Sequence, residues 1–385
     1  ICVRYECVPM RFIKHVYRIH TYAQDGRLFE GKTPVSAFLN SSYDGSFIAG
    51  LMELRYIQSL PVERIINYFE SHGFTLKKPT AHKLMEKASS LFENLYKCIR
   101  QTALSDPYKA ADETYYKILV PEKNSKGKGF RKGYLWVVVG INTRMIYLLY
   151  DDGSRSEKVI LNELGGCKGI IQSDGYSPYR KLESDAYPHI TRIPCLQHIK
   201  RKFIDCGEDD PDAKRIVEMI NTLYQNEHKH KIGVDGWTVE QNLVHRKKYA
   251  PDILGEIKDV LDDIEERGDL LPKSELKEAI TYLRNEWNAV VDIFNYGDTY
   301  LDNNIVERMN RYISLSRKNS LFFGSHKGAE RGAILYTIAL TCRMNKVNLF
   351  EYLTDIINRT AEWQPNTPLE KYRQLLPDRW EKAND

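Results

Sequence analysis

A chain of 385 residues is long enough for two or three domains, and 42% hydrophobic with 28% charged residues is the composition of a globular protein with a sizeable core. No apolar run approaches the length of a bilayer span and the opening residues do not read as a signal peptide, which sets membrane and secretory classes aside. Seven cysteines, an odd number without framework spacing, point to reduced thiols and an intracellular setting; the net charge of +4 is too small to mark a nucleic-acid binder by itself.

The distribution of charge says more than its sum. Lys123, Lys126, Lys128, Arg131 and Lys132 crowd one segment, Lys200, Arg201 and Lys202 a second, and Arg308, Arg311, Arg317 and Lys318 a third. Acidic residues gather instead at Glu208-Asp209-Asp210 and from Asp259 to Glu266. Such segregation lets a polyanion meet one surface while another stays acidic.

Residues 1–32 hold Cys2, Cys7, His15 and His20, and their alternation predicts a strand over Phe12 to Tyr22. Cys2 and Cys7 are too far apart for the paired C-x-x-C of a zinc module, so zinc is not expected here. Beginning at Ile1, the segment is expected to be a processed or truncated start, and the family resemblance given below implies that residues 1–32 are a remnant of a cysteine-rich region. Residues 33–105 are helical in pattern. One helix surrounds Ile48 to Leu54, a second opens at Pro61 and is broken by Gly73, and a long third runs from Thr80 past Leu95. With Lys77, Lys78, Lys83 and Lys87 nearby, this is the outline of a helix-turn-helix DNA-binding domain.

At residues 106–204 the pattern changes. Strands are predicted over Ala110 to Leu119, Tyr134 to Ile141 and Met145 to Tyr150, the last two joined as a hairpin through Asn142-Thr143-Arg144. Ser154 and Glu157 have capping-box spacing for a helix through Leu164. Gly169 to Gln172 is a short strand ending at Asp174, Ile190 to Ile193 another, and Cys195 to Phe203 a helix. The expected class is therefore α/β with a mixed sheet. Asp112 falls on the first strand and Asp174 at the C-terminal end of the fourth, where open sheets bind ligands. If those strands are neighbours, the two carboxylates converge.

Residues 205–296 read as a helical insertion, and residues 297–385 as the second part of the core with C-terminal helices over Ala329 to Cys342 and Asn348 to Thr360. Between them lies Leu301 to Gly324. A turn at Asp302-Asn303-Asn304 leads into an amphipathic helix with Ile305, Val306, Met309, Tyr312 and Ile313 on its buried stripe. Asn304 and Glu307 have capping-box spacing, and Glu307 with Arg311 is a favourable i,i+4 pair. A cationic loop, Ser316-Arg317-Lys318-Asn319, is expected to follow.

Two or three carboxylates at one point suit hard divalent cations, which take oxygen ligands. Two such ions about 3.5–4 Å apart activate an attacking oxygen and stabilise the leaving oxygen of a phosphodiester. Glu113 points to the opposite strand face from Asp112, so only one of the two can be a ligand. Two further zinc ligands for Cys195 and His198 cannot be assigned from the sequence, which favours a structural or DNA-proximal role for that pair.

Ala111-Asp112-Glu113-Thr114, Gly133 to Val137, Gln172-Ser173-Asp174-Gly175-Tyr176, Cys195-Leu196-Gln197-His198 with Arg201-Lys202-Phe203, and Leu301 to Asn304 with Glu307-Arg308, Arg317-Lys318-Asn319 and Gly324-Ser325 occur in an order that closely resembles the transposases of the insertion sequence 66 family. The resemblance implies a ribonuclease-H-like core with an Asp-Asp-Glu triad, carried over to Asp112, Asp174 and Glu307. It also implies two Mg²⁺ ions, with Mn²⁺ as a substitute, cleavage at the ends of the element, and attack of the exposed 3′-hydroxyls on target DNA. DNA (terminal inverted repeats and target), accessory proteins of the same element and a homo-oligomer on DNA are the implied partners; the implied location is the bacterial cytoplasm, at the nucleoid.

The expected DNA contacts are Lys77, Lys78, Lys83, Lys128, Arg131, Lys132, Lys200, Arg201, Arg317 and Lys318, while Asn304 and Arg311 are expected to orient Glu307. Two other readings of the same residues are a metal-dependent nuclease that cuts without joining and a DNA-binding remnant that has lost catalysis.

Overall fold

A computed structural model describes the chain apart from residues 1–2, 8–9, 33–35, 39–40, 123–126, 128, 208, 365 and 383–385. Cys2, Lys123, Lys126, Lys128 and Glu208 thus lie outside the described residues. At its centre is a five-stranded sheet of β3 (Tyr108–Leu119), β4 (Phe130–Gly140), β5 (Met145–Leu149), β6 (Gly169–Ser173) and β7 (Ile190–Pro194), in the order β5-β4-β3-β6-β7. The first three strands are antiparallel and β6 and β7 run parallel to β3. Leu135 to Val139 and Met145 to Leu148 are almost wholly buried. Their near-continuous apolar sequence is what a sheet covered on both faces requires.

Helix α5 (Glu157–Leu164) joins β5 to β6, α6 (Ser177–Arg180) follows β6, and α7 (Leu196–Ile204) follows β7. The insertion consists of α8 (Pro211–Glu227), α9 (Val239–Arg267) and α10 (Glu275–Ile293), and its apolar stripes form one core with Tyr108, Ile170, Ile193 and α7. Chain return from the insertion is pinned by Arg246, fully buried, which donates to the carbonyl of Ile293 and the hydroxyl of Thr299 and pairs with Glu227. Helices α11 (Asn304–Asn319), α12 (His326–Met344), α13 (Leu349–Thr360) and α14 (Leu369–Arg373) complete the fold.

The N-terminal helices are α1 (Gly45–Met52), extended by a π-helical turn over Glu53–Ile57, α2 (Val62–Ser71), α3 (Lys78–Leu91) and α4 (Glu93–Ser105). They share one continuous core with the sheet and with α11 to α14. Buried Arg55 donates to the Ser316 hydroxyl at 3.2 Å, tying the π-helical turn to α11. Edge strand β5 is closed by α12: the Leu148 N–H donates to the Thr337 hydroxyl, and the Thr341 hydroxyl donates to the Ile146 carbonyl. Backbone groups that an edge leaves unpaired are thus satisfied inside the core.

Several sequence expectations shift. The strand over Phe12 to Tyr22 is not formed. Instead β1 (Thr21–Gln24) and β2 (Arg27–Glu30) make a small hairpin, and Phe12 packs among Phe47, Phe69 and Phe74 of the helical region. The long third helix is two, divided at fully buried Phe92 without a glycine or proline to signal it. Ser154 does not cap α5: its hydroxyl accepts the Ser156 N–H, and Ser156 occupies the cap position. Ser316 to Asn319 is the last turn of α11 rather than a loop.

Candidate active site

Pairing of β3 with β6 runs Tyr108 to Ile170, Lys109 to Ile171 and Ala110 to Gln172, then stops as β6 ends at Ser173. Continued two residues further, the same register sets Asp112 level with Asp174. Beyond that point the edge of β3 is taken over by other partners. The Asn303 side-chain amide donates to the Ala111 carbonyl at 3.0 Å, the Arg317 guanidinium to the Tyr115 carbonyl, and the Phe323 N–H to the Lys117 carbonyl at 2.8 Å. Loss of β6 would otherwise orphan these β3 carbonyls. The substitution places α11 along the open half of β3, next to the strand-end crevice.

Asp112 is half-buried there. Its Oδ2 accepts from the Asn310 side-chain amide at 2.7 Å and its Oδ1 from the Glu113 N–H. Burial, with the carboxylates of Glu113 and Asp174 close by, pushes its pKa up to about 7. Glu113 is turned toward the other side, paired with Arg155 and accepting from the Tyr179 hydroxyl at 3.4 Å. Burial raises its pKa as well, against the opposing pull of Arg155.

Asp174 opens a turn in which its Oδ1 accepts the Tyr176 N–H at 3.1 Å. The insertion holds this turn: the Gly175 N–H donates to the Tyr282 hydroxyl of α10 at 2.8 Å. A Cβ on Gly175 would lie 2.4 Å from that hydroxyl, so the close approach requires glycine. Beneath it, fully buried Arg192 donates to the Ser173 hydroxyl and the Asp174 carbonyl and pairs with Glu183 and buried Glu286 of α10.

Glu307 lies in the first turn of α11, half-buried, and its Oε1 has no hydrogen-bond partner. It lies 3.8 Å from Nδ1 of His198, which is also buried and unpartnered. Ligand atoms of Cys195, His198 and Glu307 all fall within 4.8 Å of one another, the one such cluster of three among the described residues. Asp112, Asp174 and Glu307 sit on the strand, strand end and helix expected of them, but the three carboxylates are not gathered that closely. Asn304 is not the helix cap: Asn303 is, without a side-chain cap bond, because its side chain is held with the NH2 on the Ala111 carbonyl and its Oδ1 is left unpartnered. The exposed Asn304 instead places its N–H on the Asp302 carboxylate. Arg311 is exposed and no ion pair joins it to Glu307.

Neither Asn304 nor Arg311 is placed to orient Glu307; buried Asn303 and Asn310 instead reach β3, at the Ala111 carbonyl and the Asp112 carboxylate. Asn310 carries a legible signal, a polar residue at i+4 from Val306 and i−3 from Ile313 on the apolar stripe of α11. Among the basic candidates, Lys77, Lys83, Arg201 and Lys318 are exposed. Lys78 pairs with Glu63, Arg131 with Asp152, Lys132 lies over the Tyr115 ring and Lys200 over that of Tyr224. Arg317 is committed to β3 and stacks on Tyr115 at 3.9 Å.

The family model described as Transposase IS66 family matches residues 40–331, well over half of the chain. The protein belongs to that family, which supports a transposase role with DNA as partner and a divalent metal as cofactor. Three uncharacterised proteins of Sinorhizobium fredii are similar. With y4jD the identity is 25%, covering 86% of this chain and 65% of the relative; with y4hP it is 24%, covering 98% and 70%. With y4qI it is 26%, covering 95% and 69%. The chain thus spans about two thirds of the length of the curated relatives it matches. Among the described residues no helix is long and apolar enough to cross a membrane.

Proposed function

We propose that this chain cleaves DNA at the ends of an insertion sequence and joins the 3′-hydroxyl ends to target DNA, using Asp112, Asp174 and Glu307 on a ribonuclease-H-like core. The observation that carries the reading is the β3–β6 register, which sets Asp112 level with Asp174 at the strand-end crevice beside α11. Three antiparallel strands followed by two parallel ones, with the acids on the first and fourth, support it further. Glu307 precedes Asn310 by one helical turn on the same face of α11, and Asn310 already reaches Asp112.

The donor set fits hard divalent cations. Asp112 and Asp174 offer carboxylate oxygens, Glu307 has an unpartnered one, and burial, with the Glu113 and Asp174 carboxylates adding to it, holds Asp112 at a pKa of about 7. Two Mg²⁺ ions, or Mn²⁺ in their place, would supply activation of the attacking oxygen and charge stabilisation of the leaving one. Asn310 fixes the orientation of Asp112, and the Tyr282 and Arg192 contacts fix the turn of Asp174. Arg155 keeps Glu113 from adding a further free charge. The helix-turn-helix reading of α1 to α4, with Lys77 and Lys83 exposed, supplies the DNA grip, and Arg201 and Lys318 flank the crevice elements.

The test uses the purified chain, its terminal repeats and Mg²⁺. Nicking at the repeat boundary and a joined product are expected, with Asp112→Asn, Asp174→Asn and Glu307→Gln each losing both steps while DNA binding persists. Full activity in any one variant overturns the assignment of that acid. Cleavage without joined product returns the nuclease reading.

A further inference from the structure

We infer that Cys195, His198 and Glu307 form a second site, sharing Glu307 with the carboxylate centre, for a thiophilic divalent cation of the Zn²⁺ class, between the start of α7 and the first turn of α11. Sulfur, imidazole nitrogen and carboxylate oxygen are the three donor types that zinc accepts together, and three protein ligands leave a fourth position for solvent. Geometry distinguishes this site from an ordinary polar cluster. The 3.8 Å between His198 Nδ1 and Glu307 Oε1 is too long for a hydrogen bond, and neither atom has another partner. It matches the roughly 3.3–3.8 Å between ligands that share a tetrahedral ion with bonds of about 2.0–2.3 Å.

Surrounding groups are arranged as supports. Cys195 Sγ already accepts the Asn303 N–H at 3.3 Å, a bond that favours a thiolate. Cys195 occupies the cap position of α7 and His198 its first turn, while the Leu196 N–H donates to the Leu301 carbonyl and so fixes the approach of the two segments. The Tyr224 hydroxyl of α8 faces Cys195, Glu307 and Asp302, buried and without a hydrogen-bond partner of its own. Burial also pushes the metal-free Cys195 thiol up to about 12. On binding, the S–H bond breaks, the thiol proton passes to solvent and the sulfur pair is donated to the cation. Asp112 and Asp174 offer only hard oxygens and belong to a different site. Glu307 alone is common to the two, so this inference stands whether or not the chain joins DNA strands.

The experiment titrates Co²⁺ into the reduced, metal-free full chain, follows absorption, and then adds Zn²⁺. A thiolate-to-cobalt charge-transfer band with tetrahedral visible bands, saturating at one equivalent and abolished by Zn²⁺, is expected. Cys195→Ser should lose the charge-transfer band, and His198→Gln and Glu307→Gln should weaken Co²⁺ binding at least about tenfold. Asp112→Asn and Asp174→Asn should leave band and affinity unchanged. Thermal melting of the metal-free variants shows that each is folded, and Zn²⁺ should raise the melting temperature of the wild type but not of Cys195→Ser. No charge-transfer band in the wild type, or a band that survives in Cys195→Ser, overturns the site. Loss of the band in Asp112→Asn or Asp174→Asn would assign the cation to the carboxylate centre instead.

Discussion

Replacing Asp112 with Asn should stabilise the metal-free protein, increasingly so as pH rises. Asp112 has a pKa raised from 3.8 to about 7 by burial and by the neighbouring Glu113 and Asp174 carboxylates. The folded state therefore holds this proton more tightly than the unfolded state, and folding takes one up between those values. Its favourable contribution is fully present below pH 3.8 and is lost as pH rises through about 7. At about 1.4 kcal/mol per unit the ceiling is about 4 kcal/mol, of which about 2.5 kcal/mol develops between pH 5 and pH 8. Asn keeps the shape and, with its oxygen turned to Asn310, that hydrogen bond; it gives up the one from the Glu113 N–H, a cost that does not vary with pH, and it never ionises. Urea unfolding of wild type and Asp112→Asn in the presence of a chelator, at pH 5 and pH 8, measures the difference. The advantage of the variant should grow by about 2.5 kcal/mol over that interval, and Mg²⁺ should narrow it at pH 8 by stabilising the wild type alone. A pH-independent difference, or a variant that loses ground as pH rises, would refute the placement of Asp112 among buried like charges.

Asn310→Ala removes the donor to Asp112 Oδ2 and should reduce strand cleavage by about 10- to 100-fold with DNA affinity unchanged, as read by single-turnover nicking beside a binding titration. Glu286→Ala removes the buried one of the two counter-charges of Arg192, leaving Glu183, and should cost about 1.5–3 kcal/mol in urea unfolding, whereas an exposed pair such as Lys78 with Glu63 should cost under about 1 kcal/mol. Thr337→Val leaves the buried Leu148 N–H without an acceptor; a loss of about 1–3 kcal/mol is expected, and hydrogen exchange of β5 should speed up relative to β4.

Much of this architecture is legible in the sequence because its signals are local. Continuous apolar runs mark β4 and β5, Arg144 with a left-handed φ of 55° closes their hairpin, and the 3.6 period marks the insertion. What misled the reading is tertiary competition for the same polar groups. Asn304 and Glu307 have ideal capping spacing, yet Asn303 begins the helix, because the carbonyl of Ala111 loses its β6 partner and recruits that amide. Arg317, in a run of cations, looks like a phosphate ligand but completes the hydrogen bonding of β3 instead. The Cys195–His198 pair gains its third neighbour from a residue more than a hundred positions away, which no local spacing announces.

The bond between Tyr282 and Gly175 makes the insertion more than an appendage. A change in the tilt of α10 is passed to the turn bearing Asp174 through the stiff Tyr282 ring, which sits directly against the Gly175 backbone. A partner that grips α8, α9 or α10 and shifts α10 therefore acts as a hand on a lever whose short arm ends at the acid. By linkage, a metal that straightens the Asp174 turn must in the same measure favour that grip, so readiness for cutting and hold on a partner are two readings of one equilibrium.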